Sequence, residues 1–180
     1  MAYSLPTPTK ENNMLRKCIY TIAVTGLLVV GSSFCVSAAG EEVQPQIDAI
    51  KGALPKFAIP MREVGDRFQN IAFAAEGGNW GLAAYMGKYM NGAMSPAKVT
   101  KPKEYADWKS FYEGDFAKVT AAIASQNLDN FKKEYNAIIA TCNECHTGTG
   151  YGFIKVVKLA APADQGIEYK LASKAADVPK

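Results

Sequence analysis

Apolar residues recur at three- and four-residue steps through most of the chain beyond residue 54, which is the period of an amphipathic helix. From Pro55 or Pro60 to Glu76, Phe57, Met61, Val64, Phe68, Ile71 and Ala75 fall on one face. Pro60 suits a first helical turn, where its missing N–H costs nothing. Gly77-Gly78 ends the segment, because glycine accepts the left-handed conformation of a helix C-terminus. Asn79 then caps a second helix, Trp80 to about Asn91, with Leu82, Tyr85, Met86 and Tyr89 as its buried face. Residues 92–102 hold Pro96 and Pro102 and read as a loop. A third helix over 103–125 carries Tyr105, Trp108, Tyr112, Phe116, Val119 and Ile123 at helical spacing. Gln126-Asn127 makes a turn, and Asn127 caps a fourth helix that starts at Leu128. Its stripe is Leu128, Phe131, Tyr135, Ile138, Cys142 and Cys145, which puts both cysteines on the buried face.

No stretch alternates apolar and polar residues, and no fixed-period repeat appears. Short connections favour antiparallel neighbours. The expectation is an all-α fold, a four-helix antiparallel bundle over 55–155. Residues 39–54 form an N-terminal segment with a short helix over 41–54. Residues 156–180, rich in Ala and Lys, form a C-terminal tail expected to pack loosely or fray.

Residues 1–38 have a different character. Met1 to Lys10 is polar and contains Pro6 and Pro8, an upstream extension that leaves Met1 and Met14 as alternative starts. From Met14, Arg16 and Lys17 precede the apolar run Ile19 to Val30, and Val36-Ser37-Ala38 has the small residues of a signal-peptidase site. The run is short of the ~20 residues of a membrane span. Cleavage near Ala38 is therefore expected, with an uncleaved anchor as the weaker alternative. Phe34 before Cys35 does not suit lipid attachment. The mature chain then begins near Ala39 or Gly40 in an oxidising compartment, the periplasm.

The length of 180 residues, 48% of them apolar, suits one globular domain with a core of its own. The formal charge is +3, and loss of Lys10, Arg16, Lys17 and Glu11 with the leader leaves 17 basic and 16 acidic residues. A balance near zero argues against a nucleic-acid partner. Cys18 and Cys35 leave with the leader, so Cys142 and Cys145 are the remaining pair and no disulfide framework is implied. One histidine, His146, rules out a site built from several. No carboxylate pair or nucleophile constellation stands out, so no catalytic residues are assigned and an enzyme is not expected.

Cys142-Asn143-Glu144-Cys145-His146 is a C-x-x-C-H motif. Two thiols at this spacing can add to the two vinyl groups of one haem, and the adjoining histidine supplies a proximal iron ligand. A thioredoxin-like dithiol would sit at a helix N-terminus after a strand. A zinc site would need a fourth ligand from another mature Cys or His. The motif therefore reads as covalent attachment of one haem c, by Cys142 and Cys145, with His146 on the iron.

With that motif near the end of the last of four amphipathic helices, 55–155 resembles the class II c-type cytochromes, the cytochrome c-prime group. Class I members place the motif near the N-terminus instead. The resemblance implies a haem-bearing four-helix bundle, often a homodimer or related heterodimer. Some members bind NO or CO at a five-coordinate iron; others carry a methionine ligand and pass electrons to a redox partner. In this chain Thr147-Gly148-Thr149-Gly150 ends the helix just after His146, the first basic residue beyond it is Lys155, and the tail is longer. Some related haem proteins use a cysteine as sixth ligand, and here no mature cysteine is spare.

With His146 used, a sixth ligand must be a methionine, a lysine or a terminal amine. The resemblance points to Met61, since methionine-ligated members supply theirs from early in the first helix. The competing reading makes Met61 a core filler, which leaves the iron open to NO or CO. Arg62 and Arg67 are candidate propionate partners or ordinary surface ion pairs. The expected function is single-electron transfer, with gas binding as the alternative and a structural haem subunit as a third reading.

Overall fold

The computed structural model describes the backbone of residues 34–179 and the side chains of residues 43–179. The upstream extension and the leader's basic and apolar regions lie outside the described residues. The chain divides into two units, Met1–Gln44 and Pro45–Lys180. Helix α1, Phe34–Ala53, spans that boundary. It is longer than the short helix expected over 41–54, and it includes Val36-Ser37-Ala38. No described helix is long and apolar enough to cross a membrane.

The second unit is all-helical. Its elements are α2 (Ala58–Glu76), α3 (Trp80–Ala93), α4 (Ala97–Thr100), α5 (Pro102–Glu113), α6 (Asp115–Ala124), α7 (Leu128–Gly148) and a short 3-10 turn at Ala175–Asp177. No strand forms among the described residues, apart from an isolated bridge between Asn79 and Ser173. Helix α2 packs on α3, α3 on α6, α6 on α7 and α7 back on α2. The core lies inside this circuit, where Ile71, Met90, Phe116 and Phe131 are fully buried. Burial of each such side chain favours folding by about 1.5–3 kcal/mol.

Local chemistry sets the helix ends. Gly77 closes α2, and Gly78 follows at φ +79°. The Asn79 side chain accepts from the Leu82 N–H at 3.1 Å, and Asn127 accepts from Asn130 N–H at 2.9 Å. Both caps are the expected ones. The third helix, expected to be continuous, is broken at Gly114 into α5 and α6. There the backbone leaves helical geometry, and a Cβ would stand 2.9 Å from the Ser110 carbonyl oxygen. The expected apolar stripe still survives across the break, from Tyr105 to Ile123. The 92–102 loop contains the single turn α4.

Helix α3 turns a different face inward from the one its aromatics suggest. Tyr85 and Tyr89 are exposed, while Ala83, Met86, Gly87, Met90 and Met94 are buried or lie at the helix contact. The buried side of α3 carries Ala83, Gly87 and the methionines, and a Cβ on Gly87 would make ordinary contact with the Phe116 ring of α6 at 3.5 Å. The aromatic tips on α5 reach the same helix. Tyr112 OH donates to the Gly87 carbonyl at 3.1 Å, and Trp108 Nε1–H donates to Asn91 Oδ1 at 3.0 Å.

The tail, mostly exposed and largely without regular structure, follows a defined path. It runs back over α2 and the start of α3, held by three buried polar side chains. Gln69 Nε2 donates to the Val157 carbonyl at 2.7 Å, and Gln69 Oε1 accepts from Leu159 N–H at 3.0 Å. Asn70 donates to Asp164 Oδ2 at 2.8 Å and accepts from the Asp164 N–H at 3.2 Å. Asn79 donates to the Glu168 carbonyl at 3.0 Å and accepts from Ser173 Oγ at 2.6 Å. A side chain at Gly77 would collide with the Tyr169 carbonyl, so this glycine is also a docking surface for the tail. Asn79→Ala removes a helix cap and two tail bonds together. It is expected to lower stability by about 2 kcal/mol, measured by urea unfolding, and to speed protease cleavage within 156–179.

Candidate functional site

Helices α2 and α7 run in opposite directions. The Phe68 and Tyr135 rings stack with centroids 4.3 Å apart and planes 8° from parallel. Further along α2, Ala72 and Glu76 share a cleft with Phe131 and Lys132, which come earlier on α7. Two turns back from Phe68 is Met61; two turns on from Tyr135 is Cys142. Met61 and Cys142 therefore each lie two turns from this ring pair, toward the end of the helices remote from the Gly77 turn. Both are half-buried against the core, with Phe57, Ile139 and Val156 around that end.

The two thiols differ. Cys142 continues the buried stripe of α7, whereas Cys145 is exposed. The stripe was expected to include both. Spacing alone does not bury Cys145; that depends on what packs beside the end of α7. Burial pushes the Cys142 thiol up to about 11, and the neighbouring Cys145 adds to the shift. Burial also raises the Tyr135 phenol far above its ordinary value, with smaller contributions from Cys142 and Glu76. A raised thiol near a helix C-terminus is the reverse of a dithiol redox site, which needs a stabilised thiolate.

His146 lies in the last turn of α7. Gly150, at φ +86°, turns the chain back, and the Tyr151 N–H donates to the His146 carbonyl at 2.7 Å. The returning loop brings the Ile154 carbonyl oxygen 3.0 Å from His146 Nδ1. A carbonyl oxygen has no proton to give, so Nδ1 must be the donor. In the neutral ring this leaves the lone pair on Nε2, the tautomer a metal-binding imidazole requires. Asn143 fastens the same loop: its Nδ2 donates to the Val156 carbonyl at 3.0 Å, and its Oδ1 accepts from Val156 N–H at 2.8 Å. Tyr151, Phe153 and Ile154 stay exposed, Phe153 at 81%.

These residues fit a haem c. Both thiols are free, one helical turn apart, and the adjoining imidazole has the right nitrogen uncommitted. Among the described residues no cluster of three or more His, Cys, Asp or Glu side chains could hold a separate metal ion. Arg62 and Arg67 pair within α2, at 3.7 Å with Asp66 and 2.6 Å with Glu63. Arg67 also donates to the Met86 sulfur at 3.7 Å. The cleft beside Ala72 and Phe131, and another beside Leu82 and Pro179, are not lined by Cys142, Cys145 or His146. Sequence reasoning treated Asn143 as a spacer within the motif and missed the loop over 151–156. The only available signal was a polar amide at a helix position facing a Gly-rich return.

No protein-family model, curated protein or solved structure matches the chain.

The contrast between the thiols is measurable. In the thiol form of the protein, Cys145 is expected to be alkylated first. At pH 8 a thiol titrating near 11 is ionised in only about one molecule in a thousand. Because the shift favours the neutral form, Cys142 should gain reactivity as pH rises toward 11. Mass spectrometry of alkylated peptides across pH 7–11 checks both expectations.

Proposed function

We propose that the protein is an exported, periplasmic monohaem cytochrome of class II type, passing single electrons to and from a redox partner protein. In this reading the circuit of α2, α3, α5–α6 and α7 is a four-helix antiparallel bundle, and one haem c is attached through Cys142 and Cys145. The observation that carries the proposal is the state of the motif: two free thiols one turn apart, beside a His146 whose Nδ1–H is already committed to the Ile154 carbonyl. Haem c, when bound, supplies a one-electron ferric/ferrous couple. The chain's own part is to hold and tune it. His146 presents Nε2 as the proximal ligand. Met61, half-buried near the start of the facing helix, would be the sixth ligand. Thioether ligation favours the reduced iron and raises the potential.

The packing of Met61 against the core supports a second reading, in which it fills space and NO or CO reaches a five-coordinate iron. Absorption spectra of the purified protein separate the two. Electron transfer predicts six-coordinate, low-spin spectra in both redox states and slow CO binding. Met61→Ala should then convert the ferrous protein to a high-spin form that takes up CO readily. High-spin spectra in the unaltered protein would instead establish the gas-binding reading.

The attachment itself has a separate test. Replacing Cys142 and Cys145 together with Ala should abolish haem that survives a denaturing gel. Purified wild-type protein without covalent haem would overturn the proposal. Sedimentation of the haem-loaded protein distinguishes a monomer from the dimer suggested by the class II resemblance.

A further inference from the structure

We propose that Asn143 is a positioning residue for His146, acting through the loop that Asn143 clamps; this rests on the haem-carrying reading above. Asn143 and His146 are three residues apart and share one side of α7. Each reaches the same returning strand of chain, two residues apart: Asn143 at Val156 and His146 at Ile154. The two links form a short ladder between the helix and the loop.

Asn143 is the stronger rung. Its amide makes two hydrogen bonds to one residue, at 3.0 and 2.8 Å, and Val156 packs half-buried against the core. Between His146 and Ile154 the chain is held by short-range backbone bonds: the Tyr151 N–H donates to the His146 carbonyl at 2.7 Å and the Ile154 N–H to the Tyr151 carbonyl at 2.8 Å. Gly148, Gly150 and Gly152 interrupt it, and Phe153 projects into solvent. The next anchor is the Val157 carbonyl on Gln69, beyond the clamp. The Ile154 carbonyl is thus set from two sides, by the turn at Tyr151 and by the Asn143 clamp on Val156, and the clamp is the side-chain anchor of the pair.

That carbonyl controls the imidazole in two ways. It selects the tautomer with Nε2 free, and by accepting from Nδ1–H it makes Nε2 a more basic ligand. A more basic proximal nitrogen favours ferric iron and lowers the reduction potential. The second position of this C-x-x-C-H motif thus tunes the ligand rather than only spacing the cysteines.

The test uses the haem-loaded protein and Asn143→Ala. Covalent haem content, read by pyridine haemochromogen, should match wild type, since both thiols and His146 remain. The reduction potential should rise. The iron–histidine stretching frequency, read by resonance Raman on the ferrous protein after CO photolysis, should fall. Asn143→Asp keeps the bond from Val156 N–H and loses the donated one, so its stretching frequency should lie between the two. If Asn143→Ala does not accumulate as folded protein, Asn143→Asp decides the matter by the same Raman readout. Unchanged stretching frequency in the folded variants, with haem retained, would overturn the role of Asn143 while leaving the cytochrome reading intact. Absence of haem from the wild-type chain would remove the reading beneath it instead.

Discussion

Phe68 and Tyr135 stack nearly face to face across the contact between α2 and α7, a contact that is compatible with one longitudinal register of the two helices. Such a pair contributes about 0.5–1.5 kcal/mol beyond the burial of its surface. Its larger effect is geometric. A slip of one residue would move every α7 side chain by 1.5 Å along the axis and 100° around it. Counted from this pair, Met61 on α2 and Cys142 on α7 each lie two turns away, toward the same end of the two helices. The cysteine nearer the core is covered, the next is open, and His146 stands in the final turn, where a loop can reach it.

Helix α2 carries a second constraint. Gln69 and Asn70 are buried, and an amide without partners there would cost several kcal/mol. The tail supplies those partners, as it does for Asn79 at the turn. No buried side-chain nitrogen or oxygen among the described residues is left unsatisfied. The tail is thus part of the folded unit. Its path depends on Gly77, which leaves room for the Tyr169 carbonyl, and on Gly81 beside Ser173. Lys158 adds an ion pair with Glu76 at the edge.

At the other end of α7 the loop plays a comparable part for the chemistry. The last carbonyls of a helix need donors, and the Thr149 and Tyr151 N–H groups provide them to Cys145 and His146. Thr147 and Thr149 hydroxyls donate to the Asn143 and Cys145 carbonyls as well, at 2.9 and 2.7 Å. This closes the helix just after the motif and aims the chain back along it. The return supplies an acceptor to His146 Nδ1, which in the neutral ring leaves the Nε2 lone pair free.

Helix ends and most apolar stripes were legible from residue type alone. Asn79 and Asn127 are caps because a short polar side chain can reach a free backbone N–H, and the stripe on α2 is buried because its spacing matches 3.6 residues per turn. The C-x-x-C-H motif was legible for the same reason: its chemistry lies within five consecutive residues. Three features were not. The buried side of α3 carries Ala83, Met86, Gly87 and Met90 and leaves Tyr85 and Tyr89 exposed, a choice set by packing against α2 and α6. Cys145 continues the helical stripe yet is exposed, because its burial depends on what packs beside the end of α7 and not on spacing. The order of the tail, and the bonds joining Asn143, Val156, Ile154 and His146, come from groups 8 to 94 residues apart in sequence. Periodicity and local propensity carry no information over such separations; packing and the need to pair buried polar groups decided them.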